Sequence, residues 1–409
     1  MSRRICYTGD KNQRLTLINA AQPYKTAPRK PDTGKPPYRL TELTSFFAEP
    51  LYFQVKDQMT SSPMHEIKDM DRRQLAEWIA AQGLPGFRNE QILRWLYARR
   101  ARSFDQMTDI SKPTRQLLDT HFTISPPLIS QVETSIDGSQ KYLFVLKDGN
   151  MIESVLIAER THYTLCISTQ VGCAMGCRFC LTGQNGLTRN LSKAEILDQV
   201  LGVLDELPEN AMRLTNVVLM GMGEPLSNYD NVREAIDILT DNRIGLQLSH
   251  RRITLSTAGI IPRLADLGRD TNIRLAVSLN ASDDQTRSFL MPVNRTYPLQ
   301  QLIRACTAYP LAARDKITFE YILIKDVNDR PEDARRLARL LKPVRAKINL
   351  IPFNEHPGCE FQRPPETVIE AFQAELVKRH YTAIIRWSKG SDISAACGQL
   401  RGKELMQKF

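Results

Sequence analysis

The sequence lacks any long hydrophobic run. None of its segments reaches the roughly 18 consecutive apolar residues that a transmembrane helix needs, so an ordinary membrane span is excluded. The N-terminal segment MSRRICYTGDKNQRLTLINA carries charges every few positions and lacks the apolar stretch of a secretory signal. We therefore expect a cytoplasmic protein with no membrane partner.

A strong excess of one charge is also missing. The 409 residues include 55 Lys and Arg against 45 Asp and Glu, which gives a net charge of +10. Hydrophobic residues at 42% and charged residues at 24% are typical of globular chains, so wholesale disorder is excluded. The basic balance is compatible with a nucleic-acid partner and equally with a basic protein that has none. At roughly 150 residues per domain, the length predicts two or three domains.

The N-terminal part of the chain divides into two segments. Residues 1–64 show weak periodicity and proline-rich stretches such as YKTAPRKPDTGKPPYR, and predict a flexible basic extension. Residues 65–125 show helical periodicity in DRRQLAEWIAAQGL and RNEQILRWLYARRARSF. Four arginines fall on the outer face of the second helix: Arg94, Arg99, Arg100 and Arg102. This face is either solvated or binds phosphate groups. We interpret 65–125 as an N-terminal helical RNA-binding domain.

The rest of the chain predicts an α/β fold. Residues 126–162 alternate like strands around Asp137-Gly138 and Asp148-Gly149, which indicates a β-hairpin linker. Residues 163–409 contain six strand-like runs, TLCIS, TNVVLM, RITLS, IRLAVSL, ITFEYIL and AKINLI, each followed by a helical segment. This order predicts a parallel sheet, either a full or partial barrel or an open sheet. No G-x-G-x-x-G turn follows the first strand, which disfavours a dinucleotide-binding fold.

Chemically distinctive residues follow these strands in succession. They are Cys173, Cys177 and Cys180; Gly221, Gly223 and Glu224; Ser256 and Thr257; Ser278 and Asn280; and Asn354. Each alone is compatible with a cap or turn. Because strand C-termini share one face of a barrel, five such groups in succession favour one shared pocket.

The sharpest signal is the spacing Cys173-x-x-x-Cys177-x-x-Cys180. Three thiolates on one short loop are soft ligands that suit an iron–sulfur cluster or zinc. A structural zinc site takes four ligands, and the candidate fourth, Cys166, lies within the preceding strand. Three ligands to a cubane cluster leave one iron open for a small chelating cofactor.

This pattern resembles the radical S-adenosylmethionine (SAM) superfamily. VGCAMGCRFCLTG matches its cysteine motif, and Phe179 within it matches the aromatic residue that contacts the adenine of SAM. MGMGEPL matches the glycine-rich motif at the end of a strand. Together with LSTAGIIP, KINLIPFN and DISAACGQL, these motifs resemble more narrowly the dual-specificity ribosomal and transfer RNA adenine methyltransferases, the RlmN family. The resemblance covers residues 65–409 and implies a partial (βα)6 TIM-like barrel.

The resemblance implies roles for individual residues. Cys173, Cys177 and Cys180 would hold one 4Fe-4S cluster completed by an exchangeable SAM. SAM would contact Phe179, Gly223, Glu224, Ser256, Ser278, Leu279, Asn280 and Asn354, although Asn280 departs from the family's usual Ser-Leu-His. Cys397 would be the methylated cysteine, Cys166 its resolving partner, and Glu153 the general base.

The implied reaction explains why such residues are needed. Carbon 2 of adenine offers no nucleophile for ordinary methyl transfer, so the family is thought to use two SAM molecules, one to methylate Cys397 and one as a radical source. A methylene radical on Cys397 would join carbon 2, and attack by Cys166 would release the product and form a disulfide bond. The implied substrates are adenosine 2503 of 23S rRNA and adenosine 37 of some tRNAs. We expect a monomer and an electron donor such as flavodoxin or ferredoxin.

Two alternatives stay open at this point. The first is a sister activity that methylates carbon 8 of the same ribosomal adenine with the same motifs, and the helical domain at 65–125 favours carbon 2. The second is a non-catalytic, zinc-dependent RNA-binding protein. Such a protein would be colourless, whereas a protein that holds an iron–sulfur cluster would be brown.

Overall fold

The computed structural model describes residues 65–356 and 358–401. The predicted extension at 1–64 lies outside the described residues. Within the described ranges, every helix is too short or too polar to span a membrane.

A small helical unit begins the described chain. Its elements are β1 (His65–Glu66), α1 (Arg72–Ala81), α2 (Phe87–Tyr97), α3 (Lys112–His121) and β2 (Phe122–Thr123). Asp71 and Gln74 form a reciprocal capping box that starts α1. Leu75 and Ile79 of α1 are fully buried, as the helical periodicity predicts. The parallel pairing of β1 with β2 closes the unit.

Strands and helices alternate through the larger part of the molecule. In chain order they are β3 (Leu128–Thr134), β4 (Gln140–Val145), β5 (Met151–Ala158), β6 (Tyr163–Cys166), β7 (Gln170–Gly172), α4 (Leu181–Gln184), β8 (Leu187–Asn190), α5 (Lys193–Glu206), β9 (Leu214–Leu219), α6 (Tyr229–Thr240), β10 (Ile253–Thr257), α7 (Ile261–Asp270), β11 (Arg274–Ser278), α8 (Asp284–Leu290), α9 (Leu299–Ala308), β12 (Ile317–Leu323), α10 (Pro331–Leu340), β13 (Ala346–Pro352), α11 (Glu366–Val377) and β14 (Ala383–Ile385). The six predicted core strands are β6 and β9–β13, and all six are confirmed.

One sheet organises the larger part. Its strand order is β14-β13-β12-β11-β10-β9-β6-β5-β4-β3, while β7 and β8 form a separate pair. Within this sheet β6 and β9–β14 run parallel to one another, and β3–β5 continue the sheet in antiparallel fashion. The predicted hairpin linker at 126–162 therefore extends the core sheet, because β5 pairs directly with β6.

Alternation along β12 separates an outer from an inner face. Phe319 and Tyr321 are fully buried, and the Tyr321 ring packs against Phe372 of α11 with 5.3 Å between centroids. Their intervening neighbour Glu320 therefore points to the opposite face. Glu320 is in register with Ser278 of β11 and Asn349 of β13. The inner face is thus lined by polar residues.

The C-terminal segment connects the two ends of this sheet. Beyond β14, Gly390 donates its backbone N–H to Asp137 Oδ2 at 2.8 Å, in the turn between β3 and β4. The Ser135 hydroxyl donates to Asp392 Oδ1 at 2.6 Å. These contacts join one edge of the sheet to the other, so the sheet curls into a partial barrel with its polar face inside.

Two of the predicted surface arginines dock the helical unit on the barrel. Arg100 Nε lies 2.6 Å and Arg102 Nη2 2.9 Å from the carboxylate of Asp205 at the end of α5. Arg99 pairs with Asp109 at 3.2 Å within the helical unit. The cluster therefore holds the two parts of the molecule together as well as carrying positive charge.

Candidate active site

Three thiols lie on the loop between β7 and α4. Cys173 and Cys177 are buried, and Cys180 is half-buried. Burial raises the pKa of the Cys173 thiol to about 12. Burial also raises the pKa of Cys177, and the neighbouring Cys180 and Cys173 thiols raise it further. The three thiols therefore lie close enough to interact.

The chemistry of this donor set fits an iron–sulfur cluster. Its three members are all thiols, the ligands by which proteins hold such clusters. Among residues 65–356 and 358–401, no three His, Cys, Asp or Glu side chains converge as they would around a single metal ion. A structural zinc site takes four ligands, whereas three thiolates can hold a cubane cluster with one iron left open, so three thiols on one loop suit a cluster better.

The C-terminal segment packs directly against the cysteine loop. Leu181 donates its backbone N–H to the Gly398 carbonyl at 2.8 Å, and the Thr182 hydroxyl donates to the Leu400 carbonyl at 2.7 Å. Gly398 has a φ of +86°, and a Cβ there would lie 3.2 Å from the Phe179 carbonyl oxygen. A side chain there would combine a strained backbone with a contact tighter than ordinary van der Waals distance.

These contacts bring Cys397 to the end of the barrel where Cys166 lies. Cys397 is exposed, and Cys166 is buried at the end of β6. Burial raises the pKa of Cys166, and the nearby Cys397 thiol raises it further. The positive charge of Arg386 acts in the opposite direction and lowers the pKa of both Cys166 and Cys397. The seven cysteines that the structure describes are all free, so the implied Cys166–Cys397 disulfide is not formed here.

Glu153 of β5 faces the same segment. Its Oε2 accepts a hydrogen bond from the backbone N–H of Arg401 at 2.6 Å. Its Oε1 lies 3.6 Å from Lys141 Nζ, and its carbonyl accepts from the Ser168 hydroxyl at 2.6 Å. The carboxylate is therefore fixed in orientation beside the segment that carries Cys397.

The loop after β9 needs glycine and holds a buried carboxylate. Gly223 has a φ of +102°, and a Cβ there would lie 2.6 Å from the Gln170 Cβ. Glu224 accepts hydrogen bonds from the backbone of Ala258 at 2.7 Å and Leu226 at 3.0 Å. Burial raises the pKa of Glu224, and these hydrogen bonds oppose the increase. The carboxylate thus links the ends of β9 and β10.

The ends of β10 and β11 also meet. The hydroxyls of Ser256 and Ser278 lie 3.4 Å apart on the inner face. The next residue, Leu279, is fully buried. Asn280 has a φ of +57°, and its Oδ1 accepts from the Ile322 N–H at 2.9 Å. The Asn280 side chain therefore joins β11 to β12, while the two serines lie side by side on the inner face.

Two family descriptions match the chain. The radical SAM superfamily matches residues 167–338, and the ribosomal RNA large subunit methyltransferase N-terminal domain matches residues 65–124. The first covers the cysteine loop and most of the barrel, and the second covers the helical unit.

Whole-chain relatives narrow the assignment. The dual-specificity RNA methyltransferase RlmN of Desulfosudis oleivorans is 54% identical over 357 residues, which cover 87% of this chain and 96% of the relative. The RlmN of Geotalea uraniireducens is 52% identical over 338 residues, covering 83% of this chain and 97% of the relative. The chain belongs to the RlmN family.

A solved structure agrees with the RlmN-family assignment. The crystal structure of a radical SAM methyltransferase from Sphaerobacter thermophilus superposes with a TM-score of 0.78 at 42% identity. It covers 83% of this chain and 100% of that chain. The partial barrel and its preceding helical unit are therefore shared with an enzyme of the radical SAM class.

The structure also reveals a buried residue beside the site that no sequence motif indicated. Arg287 of α8 is fully buried. Its guanidinium donates to the carbonyls of Ala258 at 2.7 Å, Leu279 at 3.1 Å and Ser278 at 3.2 Å. It therefore positions the ends of β10 and β11 together. The only local signal was the Asp283 cap of a helix too short to show periodicity.

Proposed function

We propose that this RlmN-family enzyme is a radical SAM methyltransferase that methylates carbon 2 of adenosine in 23S rRNA and in some tRNAs. One observation carries the proposal: the C-terminal segment brings Cys397 to the barrel end that holds both Cys166 and the three-cysteine loop. Neither a simple metal site nor an ordinary SAM methyltransferase needs two further cysteines there. The relatives are dual-specificity RNA methyltransferases, which supports RNA as the substrate class.

Cofactor binding follows from the residues at this end. We assign the cluster to Cys173, Cys177 and Cys180. When bound, a 4Fe-4S cluster supplies the electron that cleaves SAM reductively and so provides a hydrogen-abstracting radical. We assign the SAM contacts to Phe179, Gly223, Glu224, Ser256, Ser278, Leu279, Asn280 and Asn354. In this set the Asn280 side chain acts through the loop it supports, since its amide oxygen already bonds Ile322.

Cys397 carries the transferred carbon. Its thiolate accepts a methyl group from one SAM, as a polarisable nucleophile can. After loss of a hydrogen atom, its methylene joins carbon 2 of adenine and links the enzyme to RNA. The adduct gives up one electron to an oxidised 4Fe-4S cluster, and removal of the carbon-2 proton by Glu153 restores the aromatic ring. Cys166 then attacks the Cys397 sulfur, and the carbon leaves with the bonding electrons and takes up a proton to become methyl.

RNA binding is assigned in part to the helical domain at 65–125. Arg94 is about half exposed, and Arg99 lies 4.2 Å over the Trp95 ring. Replacing both with Gln should reduce the slope of log affinity against log salt by about one per lost phosphate contact. Arg335→Gln on α10 is a control. Unchanged salt dependence in the double variant would contradict the assignment.

The remaining parts of the proposal concern the setting of the enzyme. It acts as a monomer in the cytoplasm, where its RNA substrates lie. A small reduced protein such as flavodoxin or ferredoxin delivers the electron.

The test is product identification under anaerobic conditions. Purified protein with reconstituted iron and sulfide is incubated with a 23S rRNA fragment and SAM carrying an isotopic methyl label. Digestion to nucleosides and mass spectrometry should give labelled 2-methyladenosine. Labelled 8-methyladenosine would indicate the sister activity. A colourless protein with zinc and no product would overturn the proposal.

A further inference from the structure

Glu320 is a buried carboxylate on the inner face of the barrel. It lies in the middle of β12 and is 6% exposed. Its register neighbours are Ser278, at the end of β11, and Asn349 of β13. It therefore lies on the inner face of the barrel next to Ser278, one of the serines assigned to SAM.

One of its two oxygens has a partner in the described part of the chain, and the other has none there. Oε1 accepts a hydrogen bond from Asn349 Nδ2 at 2.9 Å. Oε2 is buried and has no hydrogen-bond partner within the described ranges. A buried carboxylate oxygen without a donor is costly, and native proteins rarely keep one without a reason. A ligand that brings a hydrogen-bond donor would remove this cost.

The surroundings of Glu320 place it near the reacting cysteine. Desolvation by the surrounding protein raises the pKa of the Cys397 thiol, the charge of Arg386 lowers it, and the charge of Glu320 raises it further. Arg386 and Lys347 also act on the Glu320 carboxyl, where they oppose the increase in pKa caused by burial. The carboxylate therefore lies within electrostatic reach of the sulfur to which the target base must bind.

We propose that Glu320 is a specificity-determining residue whose Oε2 accepts a hydrogen bond from the exocyclic amino group of the target adenine. This inference rests on the proposed function. A base whose carbon 2 approaches Cys397 carries its amino group on carbon 6, which only N1 separates from carbon 2 in the same ring. Guanine carries an acceptor oxygen at that position and would be repelled, so one carboxylate selects between the purines.

The test pairs a change in the protein with a change in the RNA. Two synthetic RNAs carry either adenosine or purine riboside at the target position. Purine riboside keeps the carbon-2 hydrogen and lacks the amino group. Wild-type enzyme should prefer the adenosine RNA by at least about tenfold in kcat/KM, as expected for a hydrogen bond to a charged group. Glu320→Ala should lower kcat/KM on the adenosine RNA only, so that this preference disappears.

A second variant and a surface control keep the test interpretable. Glu320→Gln keeps the size and an acceptor oxygen, and should retain part of the preference if Glu320→Ala does not fold. Glu375→Gln changes a carboxylate that pairs with Arg335 on the surface and should behave as wild type. Iron content and SAM affinity without RNA should be equal in all the variants.

Three results would overturn the inference. The first is a Glu320→Ala enzyme that keeps the full preference for adenosine. The second is a loss of SAM affinity with the preference unchanged, which would make SAM the partner of Oε2. The third is a wild-type enzyme that methylates both RNAs equally, and in that case the proposed function stands. A wild type that methylates neither RNA would instead contradict the proposed function.

Discussion

The side-chain amide of Asn354 donates a hydrogen bond of 3.1 Å to the main-chain carbonyl of Cys397. Asn354 follows β13, so this bond connects the end of the sixth core strand to the C-terminal segment. The Gly398 carbonyl accepts from Leu181 on the opposite side, next to the cysteine loop. Cys397 is therefore held from two directions, and its position depends on parts of the chain that are far apart in sequence.

The first prediction concerns the cysteine loop. Replacing Cys177 with Ala should prevent cluster assembly and abolish SAM cleavage, because two thiolates cannot hold a cubane with one open iron. Iron, labile sulfide and 5′-deoxyadenosine are the quantities to measure. Cys359→Ala, which changes a half-buried thiol outside this loop, should keep full iron content. Full iron and deoxyadenosine formation in Cys177→Ala would defeat the radical SAM mechanism.

The second prediction concerns Gly398. Alanine there would combine a strained positive φ with a Cβ 3.2 Å from the Phe179 carbonyl oxygen, and so displace the segment that carries Cys397. We expect RNA methylation to fall by about tenfold or more, since a displacement of about 1 Å can cost 10²-fold. Iron content should be unchanged.

A matched glycine separates strain from contact in this experiment. Gly83 also has a positive φ, +66°, but a Cβ there would have no neighbour within 4 Å. Gly83→Ala should lower stability modestly and leave methylation per folded enzyme intact. Equal losses of methylation in the two variants would show that the close approach at Gly398 is unimportant.

The third prediction concerns the docking of the helical unit. Asp205→Asn removes the shared partner of Arg100 and Arg102. Because both arginines are partly exposed, we expect a loss of only about 1 kcal/mol in the free energy of unfolding. Urea denaturation should show this loss at low salt and a smaller one at high salt. Asp105→Asn, at a 97% exposed side chain, is the control and should have little effect. A salt-independent loss would rule out an ionic contribution.

The barrel could largely be predicted from the sequence. Each of β6 and β9–β13 is a short apolar run, and these runs are separated by helical segments, one of which begins at the Ser192–Glu195 capping box. β14, at Ala383–Ile385, was missed because three residues are too few to show a period. The pairing of β5 with β6 was missed because hairpin turns define local pairing and give no information about which sheet a hairpin joins.

The site could be predicted only where its residues form local motifs. The spacing of Cys173, Cys177 and Cys180 is enough to identify them as candidate ligands. Glu320 does not, because a single carboxylate inside an apolar strand has no neighbours in sequence that reveal its inner-face position. Its significance depends on the register with Ser278 and Asn349 and on an oxygen that no donor among the described residues reaches.

The central claim is that Cys166 releases the product by attacking the sulfur of Cys397, and trapping the covalent intermediate tests it most directly. Cys166→Ala should accumulate protein joined to RNA through Cys397, visible as a slow-migrating band that RNase shifts. Mass spectrometry should locate the adenosine remnant on Cys397. Cys397→Ala should give neither product nor adduct while its cluster is intact. If Cys166→Ala turns over normally and accumulates no adduct, the two-cysteine account is wrong.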